Sequence, residues 1–279
     1  MNFNIRKKIP DGEEIVKIFP LSDTARAKIL RDRQEINDII SGKDSRLIVI
    51  VGPCSAWPSE AVLEYAGKLL ALNEKVKDKL KIVMRVYIQK PRTTKGWTGP
   101  VNQPDPYLPA DISQGIFYTR KMMVDVIEMG LPIADEALFT HNATAFQELL
   151  SWVAIGARST EDQEHRIFAS AVDCAVGMKN PTSGSIEIGV NSIVAAQHPH
   201  VVIFDGYEVE TMGNPYAHLV LRGGTGTPNY SANHLQEVYT HMQKHGVANP
   251  AVIVDVSHDN SLVNGRKDHR QQAIPWQGL

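Results

Sequence analysis

The sequence predicts an α/β protein built on parallel strands, and two observations support that prediction. From Arg46 onward, short apolar runs recur along the chain, and stretches with the apolar spacing of amphipathic helices separate them. The runs are almost continuously apolar, as strands are when helices cover both faces of a parallel sheet. A series of this length favours a TIM-type (β/α)8 barrel of about 250 residues. A doubly wound sheet is the alternative, and periodicity alone does not separate the two.

The first 45 residues differ from the rest because they are charged and helical in pattern. Apolar residues recur at helical spacing over residues 21–42. Ser22 or Asp23 is a candidate N-cap for this helix, and Gly42 is a candidate C-cap. We therefore predict a helical extension over residues 1–45 and a barrel over residues 46–279.

The apolar runs are the predicted strands. They cover residues 47–54, 80–87, 131–138, 151–158, 174–180, either 200–206 or 218–224, and 251–258. Two runs compete for the sixth place because they flank the segment 207–217. Residues 59–80 and 112–130 have the spacing of amphipathic helices and lie between strands.

Composition excludes several classes of function. Lys and Arg number 29 and Asp and Glu 31, a net charge of −2, so no bulk field attracts nucleic acid or an anionic membrane. The two cysteines, Cys54 and Cys174, make neither a disulfide framework nor a zinc finger. No apolar run approaches the ~20 residues of a membrane span, and the first residues lack the apolar core of a signal peptide. We expect a reduced, cytoplasmic protein without nucleic-acid or membrane partners.

Polar residues follow the apolar runs at their carboxyl ends, which is where parallel α/β folds place their active sites. Six cations occupy these positions, namely Arg85, Lys90, Arg92, Arg158, Lys179 and Arg222. Arg offers a planar fork to phosphate or carboxylate, and Lys offers a point charge. We therefore predict a site for a small molecule that carries several negative charges.

Other residues at the strand ends have more than one interpretation. Cys54 and His258 follow the first and last predicted strands, and a thiolate with an imidazole suits a borderline divalent metal. Taken singly, each is explained as well by packing or hydrogen bonding. Glu136 is an acid, a ligand or, most commonly for such a residue, the partner of one of the arginines. Cys174, at the start of a strand, is predicted to lie in the core.

Motifs along the chain resemble those of 3-deoxy-D-arabino-heptulosonate 7-phosphate (DAHP) synthases of class I, the short, feedback-regulated type. They are VGPCS, MRVYIQKPRTTKGW, GLPIADE, AIGARSTEDQEHR, GMKNPTSG, LRGGTGTPNY and VDVSHDNS, and the likeness runs from about residue 10 to about residue 272. The resemblance implies a (β/α)8 barrel. It also implies that phosphoenolpyruvate condenses with erythrose 4-phosphate to give DAHP and phosphate, the first step toward chorismate and the aromatic amino acids.

The resemblance assigns roles to individual residues. Cys54 and His258 fall on ligand positions for a divalent metal such as Mn, Fe, Co or Zn, and Lys90 falls on the proton donor near the aldehyde. Arg92 and Thr93 fall on the erythrose 4-phosphate site. Positions that bind phosphoenolpyruvate in the family correspond here to Arg85, Lys90, Glu136, Ala157, Arg158, Lys179 and Arg222.

The resemblance also implies partners. The N-terminal segment and residues 207–215 resemble regions that the family uses for contacts between subunits and for inhibition by aromatic amino acids. We therefore expect a homo-oligomer and an aromatic amino acid as effector.

The sequence departs from the family pattern near its last residues. After Gln272 it reads AIPWQGL, without counterparts of two family motifs, similar to VESH and TDACIGW, that carry a Glu and an Asp metal ligand. We therefore expect a barrel without its eighth β/α unit and a metal site with the Cys and His ligands alone. The alternative function is an inactive or truncated homologue that binds phosphorylated ligands or a full-length synthase. Asp135 replaces a small residue of the family and would weaken an anion site if it faced inward.

Overall fold

The structure is a computed structural model that describes residues 2–92, 94–138, 145–204 and 206–273. The chain divides into two compact units. One comprises residues 1–32 and 46–151, and the other comprises residues 33–45 and 152–279. The predicted boundary near residue 45, between a helical extension and a barrel, stays a prediction.

Two helices precede the first strand, α1 (Gly12–Ile18) and α2 (Asp23–Ile40). At the start of α2, the Ser22 hydroxyl oxygen accepts a hydrogen bond from the amide of Ala25 at 3.1 Å, which satisfies a helix N-terminal donor. Gly42 follows the helix with a φ of 75°, the left-handed conformation of a C-terminal cap. Both caps agree with the sequence prediction.

The first unit contains parallel strands separated by helices. In chain order its elements are β1 (Leu47–Val51), α3 (Ser59–Val76), β2 (Leu80–Arg85), α4 (Ile112–Glu128) and β3 (Ile133–Ala137), followed by a 3-10 turn (Gln147–Leu149). Val49 pairs with Ile82, and Met84 pairs with Ile133. The strands therefore lie side by side in the order in which they occur in the chain.

The second unit repeats this arrangement, and the first two residues of its first strand belong to the first unit. Its elements are β4 (Leu150–Ile155), α5 (Gln163–Ala171), β5 (Ala175–Lys179), α6 (Ile186–Gln197), β6 (Val201–Phe204), β7 (Tyr207–Glu210), β8 (Ala217–Leu221), α7 (Ala232–Lys244) and β9 (Val252–Val254), then a 3-10 turn (His258–Ser261), β10 (Leu262–Val263), β11 (Arg266–Lys267) and a 3-10 turn (His269–Ala273). Strands β4, β5, β8 and β9 pair in parallel, in that order.

The predicted α/β class with parallel strands is confirmed. A doubly wound sheet reverses its strand order at a switch point, whereas barrel strands follow chain order. Within each unit the parallel strands follow chain order, which favours the barrel over the doubly wound alternative. The absence of an eighth β/α unit stays a prediction.

The competition for the sixth strand is decided by burial. Residues 217–221 form β8, which is buried throughout and pairs with β5. The competing run, 200–206, contributes β6, which is largely exposed and pairs with β7 as an antiparallel hairpin outside the parallel ladder. Reading 200–206 as a parallel strand is therefore wrong. The Asp205-Gly206 pair in its sequence is a hairpin signal that would have separated the two candidates.

A buried polar pair lies in the core of the second unit. The indole Nε1 of Trp152 donates to Nε2 of His218 at 3.2 Å, and His218 Nδ1 donates to the Tyr216 carbonyl at 2.9 Å. Complete burial lowers the pKa of His218 to about 4, so the ring is neutral and has both nitrogens satisfied. Gly177 packs beside the pair, and a Cβ at this position would lie 2.2 Å from Cζ2 of Trp152.

Among the described residues, no helix combines the length and the apolar character needed to cross a bilayer.

Candidate active site

In the first unit, Cys54 follows β1 and contacts a lysine that follows β2. Nζ of Lys90 donates to Sγ of Cys54 at 2.5 Å. Partial burial raises the pKa of Cys54, but the hydrogen bond from Lys90 and the charges of Lys90 and Arg85 outweigh this effect and lower it below the ordinary value. The thiol is exposed, and the lowered pKa increases the fraction present as thiolate, which is the form that binds metals. The predicted residues Cys54, Lys90 and Arg85 thus act on one another directly.

Arg85, the last residue of β2, presents a guanidinium group without a full set of partners. The group lies over the ring of Tyr87, 4.2 Å from its centroid. Its Nε is buried and has no hydrogen-bond acceptor among the described residues. A buried guanidinium donor that lacks an acceptor is suited to an incoming carboxylate or phosphate oxygen.

The segment after β2, residues 86–104, is fixed by its own hydrogen bonds. The Lys90 amide donates to the Thr98 carbonyl at 2.9 Å, and Arg92 Nε donates to the Trp97 carbonyl at 2.6 Å. The indole of Trp97 in turn donates to the Gln103 carbonyl at 2.8 Å. We call residues 86–92 and 94–104 the Lys90 loop, and these hydrogen bonds hold the backbone at Lys90 and the side chain of Arg92 in place. Thr93 lies outside the described residues.

Two adjacent carboxyls lie on β3. Glu136 is half-buried, whereas Asp135 is buried. Side chains alternate along a strand, so Asp135 points to the opposite face from Glu136. Burial raises the pKa of Asp135 to about 7 despite hydrogen bonds from the Glu136 and Ile88 amides. The carboxyl of Asp135 therefore does not lie on the face of β3 that carries Glu136.

In the second unit, His258 follows β9 and is held by a carboxylate. Its Nδ1 lies 2.9 Å from Oδ2 of Asp255, whose Oδ1 accepts the Ser257 amide, also at 2.9 Å. His258 has a φ of 53°, which is uncommon for residues other than glycine. Lys179 Nζ lies 3.8 Å from the same Oδ2 atom, so the predicted residues Lys179 and His258 share one partner.

Three buried asparagines fix the backbone around Arg222. Asn180 Oδ1 accepts the Arg222 amide at 2.9 Å, and Asn229 Oδ1 accepts the Gly223 amide at 2.7 Å. Asn260 Oδ1 accepts the Asn229 amide at 2.9 Å, and Asn229 Nδ2 donates to Asn180 Oδ1 at 3.1 Å. We call Asn180, Asn229 and Asn260 the asparagine network. We did not predict it from the sequence, where the available signal was that each asparagine follows a strand end by one to eight residues.

The remaining predicted residues lie at the expected strand ends. Arg222 directly follows β8 and is buried, with Nη1 3.8 Å from Oδ2 of Asp259. Ala157 and Arg158 lie in the turn after β4, and Arg158 is exposed. Cys174 is buried, which raises the pKa of its thiol to about 12, as expected for a core cysteine.

The chain matches a family model and curated proteins over most of its length. Residues 20–275 match the model described as the DAHP synthetase I family. Over 265 residues, the chain is 43% identical to the Tyr-sensitive phospho-2-dehydro-3-deoxyheptonate aldolase of Salmonella typhimurium, covering 93% of this chain and 73% of that one. It is 39% identical to the aldolase of Corynebacterium glutamicum over 270 residues, covering 95% and 72%.

A solved structure has the same fold. The phospho-2-dehydro-3-deoxyheptonate aldolase of Francisella tularensis SCHU S4 superposes with a TM-score of 0.93 at 36% identity. The superposition covers 99% of this chain and 81% of that one.

Proposed function

Because the chain belongs to the DAHP synthetase I family, we propose that it condenses phosphoenolpyruvate with erythrose 4-phosphate to give DAHP and phosphate. The observation that supports this most directly is the family match over residues 20–275, which includes the strand-end residues described above. The proposed fold is a TIM-type (β/α) barrel, and the chain-order pairing of the parallel strands within each unit supports it.

The cations at the strand ends bind the anionic groups of the substrates. Arg85 supports this role because its buried Nε lacks an acceptor among the described residues. In the proposal, phosphoenolpyruvate is bound by Arg85, Lys90, Glu136, Ala157, Arg158, Lys179 and Arg222. Arg92 and Thr93 bind erythrose 4-phosphate. One carboxylate and two phosphates carry enough negative charge to account for the number of cations.

A divalent metal is part of the proposal, with Cys54 and His258 as ligands. The donor chemistry fits, because Lys90 and Arg85 lower the pKa of Cys54, and the Asp255 carboxylate engages Nδ1 of His258, leaving Nε2 for a metal. Thiolate and imidazole suit Mn, Fe, Co or Zn. In the part of the chain that the structure describes, no three His, Cys, Asp or Glu side chains form a metal-binding group. When bound, such an ion polarises the sugar aldehyde.

The side chains of the chain itself orient the substrates and move a proton. Carbon 3 of phosphoenolpyruvate forms a bond to the aldehyde carbon, water adds to carbon 2, and the bond from carbon 2 to the phosphate oxygen breaks as carbon 2 becomes a ketone. Of the two protons that the water releases, one leaves with the phosphate and the other replaces the proton that Lys90 gives up. Lys90 donates a proton to the aldehyde oxygen as it becomes a hydroxyl, a role that suits an ammonium group held on the ordered Lys90 loop. Arg85, Lys179 and Arg222 neutralise the phosphate as it leaves.

We further propose an aromatic amino acid effector and a homo-oligomer. Relatives of this chain are named Tyr-, Phe- and Trp-sensitive. The β6–β7 hairpin exposes Val201, Ile203, Phe204 and Tyr207, which would be covered at a contact between subunits. The cytoplasm is the proposed location, because both cysteines are free thiols.

The test is consumption of phosphoenolpyruvate by the purified chain with erythrose 4-phosphate and Mn²⁺. We expect turnover that requires the metal. Cys54→Ala should abolish this turnover, and Cys174→Ala, the matched control at the buried cysteine, should retain it. Absence of turnover from folded protein would overturn the proposal.

The alternative is an inactive homologue that still binds phosphorylated ligands or a full-length synthase. It is favoured by the observation that the described residues supply two candidate ligands and no group of three. Calorimetry separates the alternatives, because phosphoenolpyruvate binding without turnover supports the inactive homologue.

A further inference from the structure

Asp135 is a buried ionisable residue that the proposed mechanism does not use. It lies in the middle of β3, and its side chain points away from the face that carries Glu136. Its Oδ1 atom accepts a hydrogen bond from the backbone amide of Ile88, at 3.2 Å. We propose that Asp135 is a positioning residue, whose carboxyl holds the amide of Ile88 and thereby fixes the Lys90 loop for the reaction.

In the hydrogen-bond ladder between β2 and β3, the Asp135 carboxyl takes the place of a backbone carbonyl acceptor. The Met84 amide donates to the Pro132 carbonyl, and the Val86 amide donates to the Ala134 carbonyl, each at 2.8 Å. In a parallel ladder the next donor is residue 88, two residues further on. The Ile88 amide instead donates to the Asp135 side chain. The carboxyl thus ends the ladder where the chain leaves the sheet to form the Lys90 loop.

Ile88 lies near the start of that loop and is held there by both of its backbone polar groups. Its amide is held by Asp135, and its carbonyl accepts the Val101 amide at 3.2 Å, from the far side of the loop. Space at this point is tight, since a Cβ on Gly99 would lie 2.4 Å from the Ile88 carbonyl oxygen. Lys90 follows two residues later and reaches Cys54. A shift of Ile88 therefore displaces Lys90 relative to its partner.

The charge on Asp135 provides a signature of its role. Burial raises the pKa of Asp135 to about 7, against hydrogen bonds from the Glu136 and Ile88 amides. Glu136 raises it further from the same strand, and Arg85 lowers it from β2. The buried Arg120, on the neighbouring helix α4, donates hydrogen bonds to the Phe19 carbonyl and the Glu148 carboxylate rather than to Asp135. Loss of the proton above neutral pH places a negative charge near Arg85, which opposes binding of an anionic substrate.

The experiment compares two substitutions that separate the acceptor from the charge. Asp135→Ala removes the acceptor, and Asp135→Asn keeps a carbonyl oxygen at nearly the same position without charge. Asp105→Ala is the matched control, since Asp105 accepts the Tyr107 amide just beyond the Lys90 loop. Chemical unfolding establishes that each variant is folded.

The first readout, which requires no activity, is hydrogen exchange in the segment 86–92. Exchange should accelerate about tenfold in Asp135→Ala, because the Ile88 amide loses its acceptor. It should stay close to wild type in Asp135→Asn and in the control.

The kinetic readout rests on the proposed function. We expect kcat/KM for phosphoenolpyruvate to fall at least about tenfold in Asp135→Ala and to stay within about threefold of wild type in Asp135→Asn. The wild-type kcat/KM should decline above about pH 7, and the Asp135→Asn profile should lack this decline.

Two results would overturn the proposal: wild-type exchange in Asp135→Ala, or equal impairment of both substitutions. If the wild type shows no turnover, the proposed function fails separately. Hydrogen exchange and calorimetric phosphoenolpyruvate affinity then decide the role of Asp135.

Discussion

The carboxylate of Asp255 engages the Nδ1 nitrogen of His258, with Oδ2 and Nδ1 2.9 Å apart. Burial raises the pKa of Asp255, but the hydrogen bond from His258 and the charge of Lys179 outweigh burial and hold it below the usual range. The carboxylate is therefore ionised and accepts the Nδ1 proton, so Nε2 is the nitrogen available to a metal.

Asp255→Asn should weaken metal binding because it removes the charge that makes the imidazole a better ligand. We expect the Mn²⁺ affinity to fall about tenfold to 100-fold. A titration that follows the electron paramagnetic resonance signal of free Mn²⁺ measures this affinity. Asp268→Asn is the control, since Asp268 pairs with Arg270 and not with His258. Equal affinities for wild type and Asp255→Asn would show that the contact does not tune the ligand.

Lys90→Met should make Cys54 less reactive. The ammonium group of Lys90 stabilises the thiolate, so its removal raises the pKa of Cys54 and reduces the thiolate fraction. With metal removed by chelation, alkylation of Cys54 by iodoacetamide near pH 7 should slow by roughly three- to tenfold. Lys95→Met, in the same loop, should alkylate at the wild-type rate. An unchanged rate in Lys90→Met would contradict the stabilising role of the hydrogen bond.

Strand existence was predictable from the sequence because buried parallel strands are continuously apolar. Strand β8 (Ala217–Leu221), which overlaps the predicted run 218–224, is buried at every residue, whereas the competing run, 200–206, contributes the exposed strand β6. The apolar content of a run does not show whether the strand is buried, so it could not separate the two candidates for the sixth strand. The hairpin partner, β7, follows directly after Gly206 and was the decisive information.

The site was only partly predictable. Charged residues after strands, such as Arg85 and His258, are visible because they interrupt apolar runs. The contacts that hold them depend on tertiary pairing, as in the hydrogen bond from Lys90 to Cys54, which joins residues 36 positions apart. The asparagine network escaped prediction for the same reason, since a lone asparagine in a loop is common.

His218 should make stability depend on acidity. Its pKa is about 4 in the folded protein and near 6.5 when unfolded. Between these values the unfolded chain binds more protons, so the free energy of unfolding falls as pH falls from about 6.5 toward 4, by up to ~3 kcal/mol. Urea unfolding at several pH values measures this slope.

His218→Gln should flatten that slope, because glutamine does not titrate. His245→Gln, at an exposed position directly after α7, should keep it. A wild-type slope no steeper than that of His218→Gln would contradict the neutral, buried ring.

Gly177→Ala should destabilise the second unit. The new methyl group would lie 2.2 Å from Trp152 Cζ2 and 2.7 Å from Val220 Cγ2, so the core must shift, at a cost of about 1–3 kcal/mol or more. Gly67→Ala is the matched substitution, because Gly67 lies in α3 and its Cβ would meet only Met129 Cε at 3.9 Å. It should stabilise by roughly 0.5–1 kcal/mol through helix propensity. Equal unfolding midpoints for the two variants would contradict this difference.

The asparagine network constrains how this sequence can change over time. Each of its three side chains holds a backbone amide, and each is itself tied to another member. Asn180 and Asn229 share a side-chain hydrogen bond, so after one of them is lost the other has already lost this partner, and the second loss should cost less than it would alone. These two positions are therefore epistatic, whereas Asn260 holds the backbone amide of Asn229, which is present whichever side chain other than proline stands there. Sequence drift should retain Asn180 and Asn229 or replace them together, and a library that varies them one at a time would overestimate the intolerance of each.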